Sequence, residues 1–189
     1  VTNIGQLERI IIGNTPETQQ NVSIIMPGVP LNSYYGYNII GIYQTEEEVA
    51  NSPQPISEPG WPIFEDVNGD GTISPDDRIV LGDPFPDFTF GFRNSMNYRK
   101  IGLDIFINGK YGFELLNGTA IAQAYPRTFI RNRNADQVRD RWTPDNPDAK
   151  WPSSTEPVNY GPGEITSMFV EDASYIRLRS VRLSYDLPA

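Results

Sequence analysis

The sequence predicts an all-β fold in which antiparallel transmembrane strands form part of a barrel wall and are joined by long extracellular loops. Three observations predict it. Residues 88–111 alternate apolar and polar side chains along two arms of about 11 residues each, the length a tilted strand needs to cross a membrane. A calcium-type loop pattern occupies residues 66–77, just upstream. From residue 117 to 167 the alternation fades into a connection of about 50 residues, which a compact domain rarely carries and an outer-membrane barrel commonly does.

Composition removes most other classes. The 189 residues include no Cys and no His, so disulfides, zinc–thiolate sites, thiol nucleophiles and the Ser-His-Asp arrangement are all absent. A formal net charge of −9 argues against nucleic acid as a partner, and no Gly-rich phosphate loop appears. No run of about 18 apolar residues exists, which excludes a membrane-spanning helix and leaves a barrel open. The chain starts at Val1 without a Met or a charged-then-apolar leader, so the expectation is a removed leader or an internal piece of a longer protein.

Along the chain, Leu7 to Ile12 and Val22 to Met26 read as a strand pair around the turn-rich Gly13 to Pro16. Tyr34 to Tyr43 reads as one aromatic-rich β segment. Thr45, followed by three Glu and Val49, is placed to cap a single helical turn. Residues 50–62, with Pro53, Pro55, Pro59, Gly60 and Pro62, form a loop that leads into the calcium-type site.

Calcium takes six to eight hard oxygen ligands, and a tight loop supplies them when carboxylates and amides recur at alternate positions. Here Asp66, Asn68 and Asp70 hold positions 1, 3 and 5, Gly71 allows the turn, and Thr72 offers its carbonyl at position 7. Ser74 at position 9 suits a water, and Asp77 closes at position 12 with Asp76 spare beside it. Asp77 is one methylene shorter than the usual Glu, so bidentate closure requires the backbone to come nearer. Arg78 to Gly82 is β-like and is stopped by Pro84 and Pro86, where a calcium sensor would have an exiting helix. A structural staple is therefore expected rather than a switch. The same residues also suit a turn held by side-chain to backbone hydrogen bonds without an ion.

In the hairpin, Phe88, Phe90, Phe92, Met96 and Tyr98 share one face, broken by Asn94, with Thr89, Gly91, Arg93, Ser95 and Asn97 opposite. After a turn at Arg99 and Lys100, Leu103, Ile105, Ile107 and Tyr111 take the apolar face. Gly102, Asp104, Asn108 and Lys110 lie opposite, interrupted by Phe106. Tyr98 at the short turn suits an interfacial girdle, and short turns face the periplasm. A soluble hairpin with one face on a core has the same period, and the long 117–167 connection favours the barrel. Within that connection a short helix is predicted from Ala135 to Trp142. The final strand, 174–187, puts Val181, Leu183, Tyr185 and Leu187 on one face. Its first half brings Arg177 and Arg179 onto the same face, so a bulge or an extension above the membrane is predicted.

The run from Asp66 to Phe92 resembles the hallmark of SusC/RagA-type TonB-dependent outer-membrane transporters. So do Ser33 to Tyr37 with Gly41 to Gln44, Arg141 to Pro147, and Phe169 to Pro188, four motifs in the family's order over nearly the whole chain. The resemblance implies a Gram-negative outer membrane, an N-terminal plug with a TonB box, a plugged 22-stranded barrel surrounded by lipid, and a SusD-like surface lipoprotein as lid. It also implies import of an oligosaccharide or peptide driven by TonB. The sequence corresponds to a late part of such a barrel, with the plug and the closing strands absent.

The roles implied are structural and recognitional, with no catalysis. Asp66, Asn68, Asp70, Thr72 and Asp77 would hold calcium and stiffen an extracellular loop. Tyr34, Tyr35, Tyr37, Trp61, Trp142 and Trp151 lie in outward segments, where aromatic faces either stack on sugar rings or, more commonly, pack the loops and anchor the girdle. Arg93, Asp104, Asn108 and Lys110 would face the lumen and either tune its polarity or hydrogen-bond the plug. The competing class is a secreted, soluble, calcium-stapled β-domain that binds carbohydrate, and it requires both sheet faces to be covered or polar. A glycoside hydrolase requires two carboxylates about 5–10 Å apart. Nothing in the spacing of Glu114, Glu156, Glu164 and Glu171 selects a pair.

Overall fold

A computed structural model describes residues 10–12, 23–54, 56–124, 135–153 and 165–187. In chain order the elements are β1 (Ile10–Ile12), β2 (Ser23–Ile25), β3 (Ser33–Gly36), β4 (Ile39–Ile42), α1 (Glu46–Ala50), β5 (Pro62–Phe64) and β6 (Ile79–Gly82). Then follow β7 (Phe88–Tyr98), β8 (Ile101–Tyr111), β9 (Glu114–Leu116), α2 (Gly118–Ala124), α3 (Ala135–Arg139), β10 (Val170–Asp172) and β11 (Tyr175–Tyr185).

The three eleven-residue strands form one antiparallel sheet in the order β11-β8-β7. The β7–β8 register runs without a slip from Phe88 opposite Tyr111 to Tyr98 opposite Ile101, so the alternation in the two arms lands on common faces. In β11 the register shifts between Leu178 and Ser180, leaving Arg179 as the extra residue of a bulge. That shift resolves the phase problem of the last strand. Above the bulge Ile176 and Leu178 take the apolar face, and Arg177 moves to the polar face opposite Asn108. Arg177, which strict alternation puts on the apolar side, is brought onto the polar face by the bulge that its phase predicts.

One face of this sheet is consequently apolar and uncovered: Phe92, Met96, Leu178, Val181 and Leu183 are all more than half exposed. At its outer end the rings of Phe88 and Tyr111 stack at 5.4 Å, and at its inner end Tyr98, Ile101 and Tyr185 form a row across the sheet. The eleven-residue β7, rising about 3.3 Å per residue and tilted by about 40°, covers about 25 Å of height, that of the apolar band of a membrane barrel. Gly109 is needed within it, because a Cβ there would meet the ring of Phe90 at 2.5 Å.

Everything else among the described residues attaches at the end away from the Tyr98–Ile101 turn. β9 and β10 pair with each other and continue the β8–β11 ladder upward, and β7 is tied in by a hydrogen bond from Asp87 N–H to the Gly112 carbonyl. β1, β2, β3 and β6 form a second sheet, with Ile10 opposite Ile25 as the predicted pair requires; residues 7–9 and 22 lie outside the described residues. The predicted β segment from Tyr34 to Tyr43 is present as two strands, β3 and β4, in different sheets. Tyr37 breaks it by bridging in parallel to Thr166, donating to the Ile165 carbonyl at 2.9 Å and accepting from Ser167 N–H at 3.0 Å. Beyond it, β4 pairs with β5.

Between β8 and β11, α2 occupies residues that were read as irregular. Asn117 caps it by accepting from Ala120 N–H at 2.9 Å. α3 is shorter than the predicted 135–142 helix, because Trp142 leaves it to donate its N–H to the Trp151 carbonyl at 2.8 Å. Glu156 and Glu164 lie outside the described residues.

Candidate functional site

The 66–77 loop is shaped by side chains that reach back to the main chain. Asp66 accepts from Gly69 and Gly71 N–H at 2.7 and 2.8 Å, Asn68 from Asp70 N–H at 2.8 Å, and Asp70 from Thr72 N–H at 2.8 Å. Gly69 and Gly71 sit at φ of 72° and 79°, a conformation that other residues adopt only with strain. Asp77 is fully buried. One of its oxygens accepts from Val67 and Asn68 N–H, the other from Ser74 N–H at 2.7 Å in a capping box. Both of its oxygens are thus engaged by the backbone, as both oxygens of Asp66 are, and Asp77 ties the loop's two ends together. Among the described residues no group of three or more acidic side chains converges as a metal site.

Burial pushes the Asp77 carboxyl up, but the N–H groups of Ser74, Asn68 and Val67 and the Ser74 hydroxyl outweigh it and hold the pKa below its ordinary value. Because folding depresses this pKa, the added stability is fully present above about pH 4 and is lost as pH falls through the folded value. Asp77→Ala is expected to loosen the loop by about 1–3 kcal/mol, since three backbone donors lose their partner. Hydrogen exchange of residues 67, 68 and 74 measures this; exchange at the native rate would show that the staple is dispensable.

The outward aromatic residues divide into buried and half-buried. Tyr35, Tyr37, Trp61 and Trp142 are buried, and so pack the loops rather than offer a face to a sugar. Trp61 belongs to a core with Tyr43 and Val49, beside which the buried Gln54 accepts from Phe64 N–H at 2.8 Å. Tyr37 meets Phe64 at 5.3 Å and carries the Arg78 guanidinium at 5.2 Å from its ring centre. The Trp142 indole N–H donates to Gln44 at 2.9 Å and its ring lies over Gly60. Tyr34 and Trp151 are half-buried, and Trp151 lies 6.3 Å from Phe169 with the Lys150 ammonium 5.4 Å from its ring centre.

The four residues predicted to face a lumen, Arg93, Asp104, Asn108 and Lys110, do share the polar face of the long sheet. Arg93 reaches Asp104 at 3.0 Å through both Nε and Nη2, and the Ser95 hydroxyl donates to the same oxygen at 2.6 Å. Arg182 lies directly across from Asp104, and Ser180 across from Phe106, so these five residues line a shallow recess. Arg182 and Arg177 belong to this face although the candidate set omitted them. Strict alternation already places Arg182 on the side opposite Val181 and Leu183, and the phase slip in β11 is the signal that finds Arg177.

No protein-family profile matches the chain. Two TonB-dependent receptors of Formosa agariphila align with it, one at 34% identity over 176 residues and one at 36% over 174, covering 90% and 87% of the chain. The fold matches that of the RagAB peptide transporter with a TM-score of 0.65, at 21% identity and over 96% of this chain. The chain belongs to the TonB-dependent receptors, and its fold is that of the RagAB transporter. It spans 16% of the length of each of the two aligned receptors and 18% of the matched transporter chain. As a stretch of a TonB-dependent receptor it resides in the outer membrane of a Gram-negative bacterium.

Proposed function

We propose that this chain supplies part of the barrel wall and outward loops of a TonB-dependent transporter that imports an oligosaccharide or peptide with a SusD-like surface lipoprotein. The observation that carries the proposal is the three-stranded sheet with one uncovered apolar face and one polar face holding the Arg93–Asp104 pair. A soluble carbohydrate-binding domain would leave that apolar face in water, an aggregation hazard without purpose. Neither aligned receptor is named as an enzyme, and the proposed protein performs no chemistry on its cargo. The test uses the complete protein: recovery from the outer-membrane fraction only with detergent, co-purification of a lipoprotein encoded beside it, and loss of growth on one oligosaccharide or peptide when it is deleted. Release into the medium as a soluble protein would overturn the proposal.

Calcium at the 66–77 loop is part of the same proposal. Its support is the spacing of Asp66, Asn68 and Asp70, whose side chains all bend back onto the same turn, with the Thr72 carbonyl next in order. These residues would hold the ion, with Asp77 closing the set at position 12. Calcium titrated into the complete protein is expected to bind and to slow hydrogen exchange over 66–77, and Asp66→Ala with Asp70→Ala to abolish both. Identical exchange with calcium and with chelator would leave a purely hydrogen-bonded turn.

A further inference from the structure

Three Asn-Gly pairs occur in the chain: Asn68-Gly69, Asn108-Gly109 and Asn117-Gly118. An asparagine before glycine is open to attack on its side-chain carbonyl by the next backbone nitrogen, because no Cβ shields that nitrogen. The fold treats the three pairs differently. Asn108 and Gly109 sit in β8, hydrogen-bonded to a strand on either side, and Gly109 is buried. Asn117 caps α2 and is tied across the β9–β10 pair, accepting from Ala120 N–H at 2.9 Å and donating to Glu171 at 3.0 Å. Asn68 and Gly69 lie instead in an exposed turn, where a Cβ added at Gly69 would meet nothing within 4 Å, so solvent reaches both residues. The turn also brings the reacting groups together. Asn68 Oδ1 reaches forward to accept from Asp70 N–H at 2.8 Å, which carries the side-chain carbonyl over the peptide of Gly69. The same N–H polarises that carbonyl and steadies the negative charge that builds on its oxygen under attack. Nδ2 donates to Asp70 Oδ2 at 3.0 Å and Gly69 N–H to Asp66 Oδ1 at 2.7 Å, so both nitrogens are held within one turn.

We propose that Asn68 is a self-modification site: in the ion-free loop the Gly69 nitrogen attacks Asn68 Cγ and the residue is converted to aspartate or isoaspartate. The N–Cγ bond forms as the Gly69 nitrogen gives its proton to solvent. The Cγ–Nδ2 bond breaks as Nδ2 takes a proton from solvent and leaves as ammonia. Water then opens the succinimide at either carbonyl, so the net change is water in and ammonia out. Aspartate keeps the acceptor for Asp70 N–H but loses the donor to Asp70, and it sets a new carboxylate between Asp66 and Asp70 on one turn. Isoaspartate lengthens the main chain at the same point. Neither the transporter reading nor bound calcium is needed for this chemistry.

The test is peptide mass mapping of the complete, purified protein held at neutral pH with chelator, native and denatured in urea. Conversion adds about 1 Da to the peptide that carries the reacted asparagine, and fragmentation separates the two products. In the native protein Asn68 is expected to convert about tenfold faster than Asn108 and Asn117, whereas in the denatured chain the three should convert at similar rates. Gly69→Ala has room for its Cβ, and its φ of 72° strains and loosens the turn, which alone would speed conversion. Shielding of the attacking nitrogen is expected to prevail and to slow Asn68 about tenfold, with Asn108 and Asn117 unchanged. Native conversion at Asn68 within about threefold of that at Asn117 overturns the inference, as does a Gly69→Ala protein that converts at the native rate or faster.

Discussion

Replacing Gly60 with Ala is expected to undock residues 142–153 from the outward core, raising hydrogen exchange at Trp142, Trp151 and Ser153 about 100-fold. Gly60 has a φ of 90°, where a side chain costs about 1–2 kcal/mol. A Cβ there would also overlap the Trp142 ring and lie 2.7 Å from Ser153 Cβ, which adds a packing cost of about 1–3 kcal/mol. The affected bonds are Trp142 N–H to Trp151, Trp151 N–H to Asp140 and Ser153 N–H to Gly60. About 3 kcal/mol of local opening corresponds to about two decades of exchange. The barrel strands should be unaffected, because no hydrogen bond of theirs passes through Gly60. Native-like protection in the variant would mean that Trp142 docks by some route other than the one seen.

The same segment shows why part of the site could not be read from sequence. Trp142 carries the composition of a sugar-stacking surface, and it is buried because its segment, some 80 residues downstream, folds back over Gly60; Trp61 is buried nearer in sequence, in its core with Tyr43 and Val49. Local pattern contains no information about that return. The split of the Tyr34–Tyr43 strand has the same origin, since Tyr37 takes its partner from Thr166, far along the chain. Gly36 permits the approach, as a Cβ at that position would overlap the Ile165 carbonyl. The 88–111 hairpin was legible to the residue because its pattern is short-range and its register follows from a two-residue turn. Even the slip in β11 was visible as two arginines out of phase. Asp77 illustrates a third case. The twelve-residue spacing marks Asp77 as the residue that closes the loop, but its bonds to the Val67, Asn68 and Ser74 N–H groups appear only in three dimensions.

The orientation of the sheet yields the other large effect. Ile105 lies in the central strand, opposite Asn94 on one side and Val181 on the other, at mid-height of the apolar face. Ile105→Arg is expected to destabilise folding into lipid vesicles by about 2–4 kcal/mol, the cost of a cation at the bilayer midplane of a barrel. Leu183→Arg, nearer the Tyr98–Tyr185 row, should cost about 1 kcal/mol or less, because its guanidinium can reach the headgroups. Phe106→Gln, adjacent to Ile105 in sequence but on the polar face, should change stability by less than about 1 kcal/mol. Urea titration of the complete protein in vesicles measures all three. The order of the three costs, rather than any one of them, carries the argument. A water-soluble sheet would rank the variants by side-chain packing, with Phe106→Gln at or above Leu183→Arg. Only a lipid-facing surface ranks them by depth, and a flat series would remove the barrel from the interpretation.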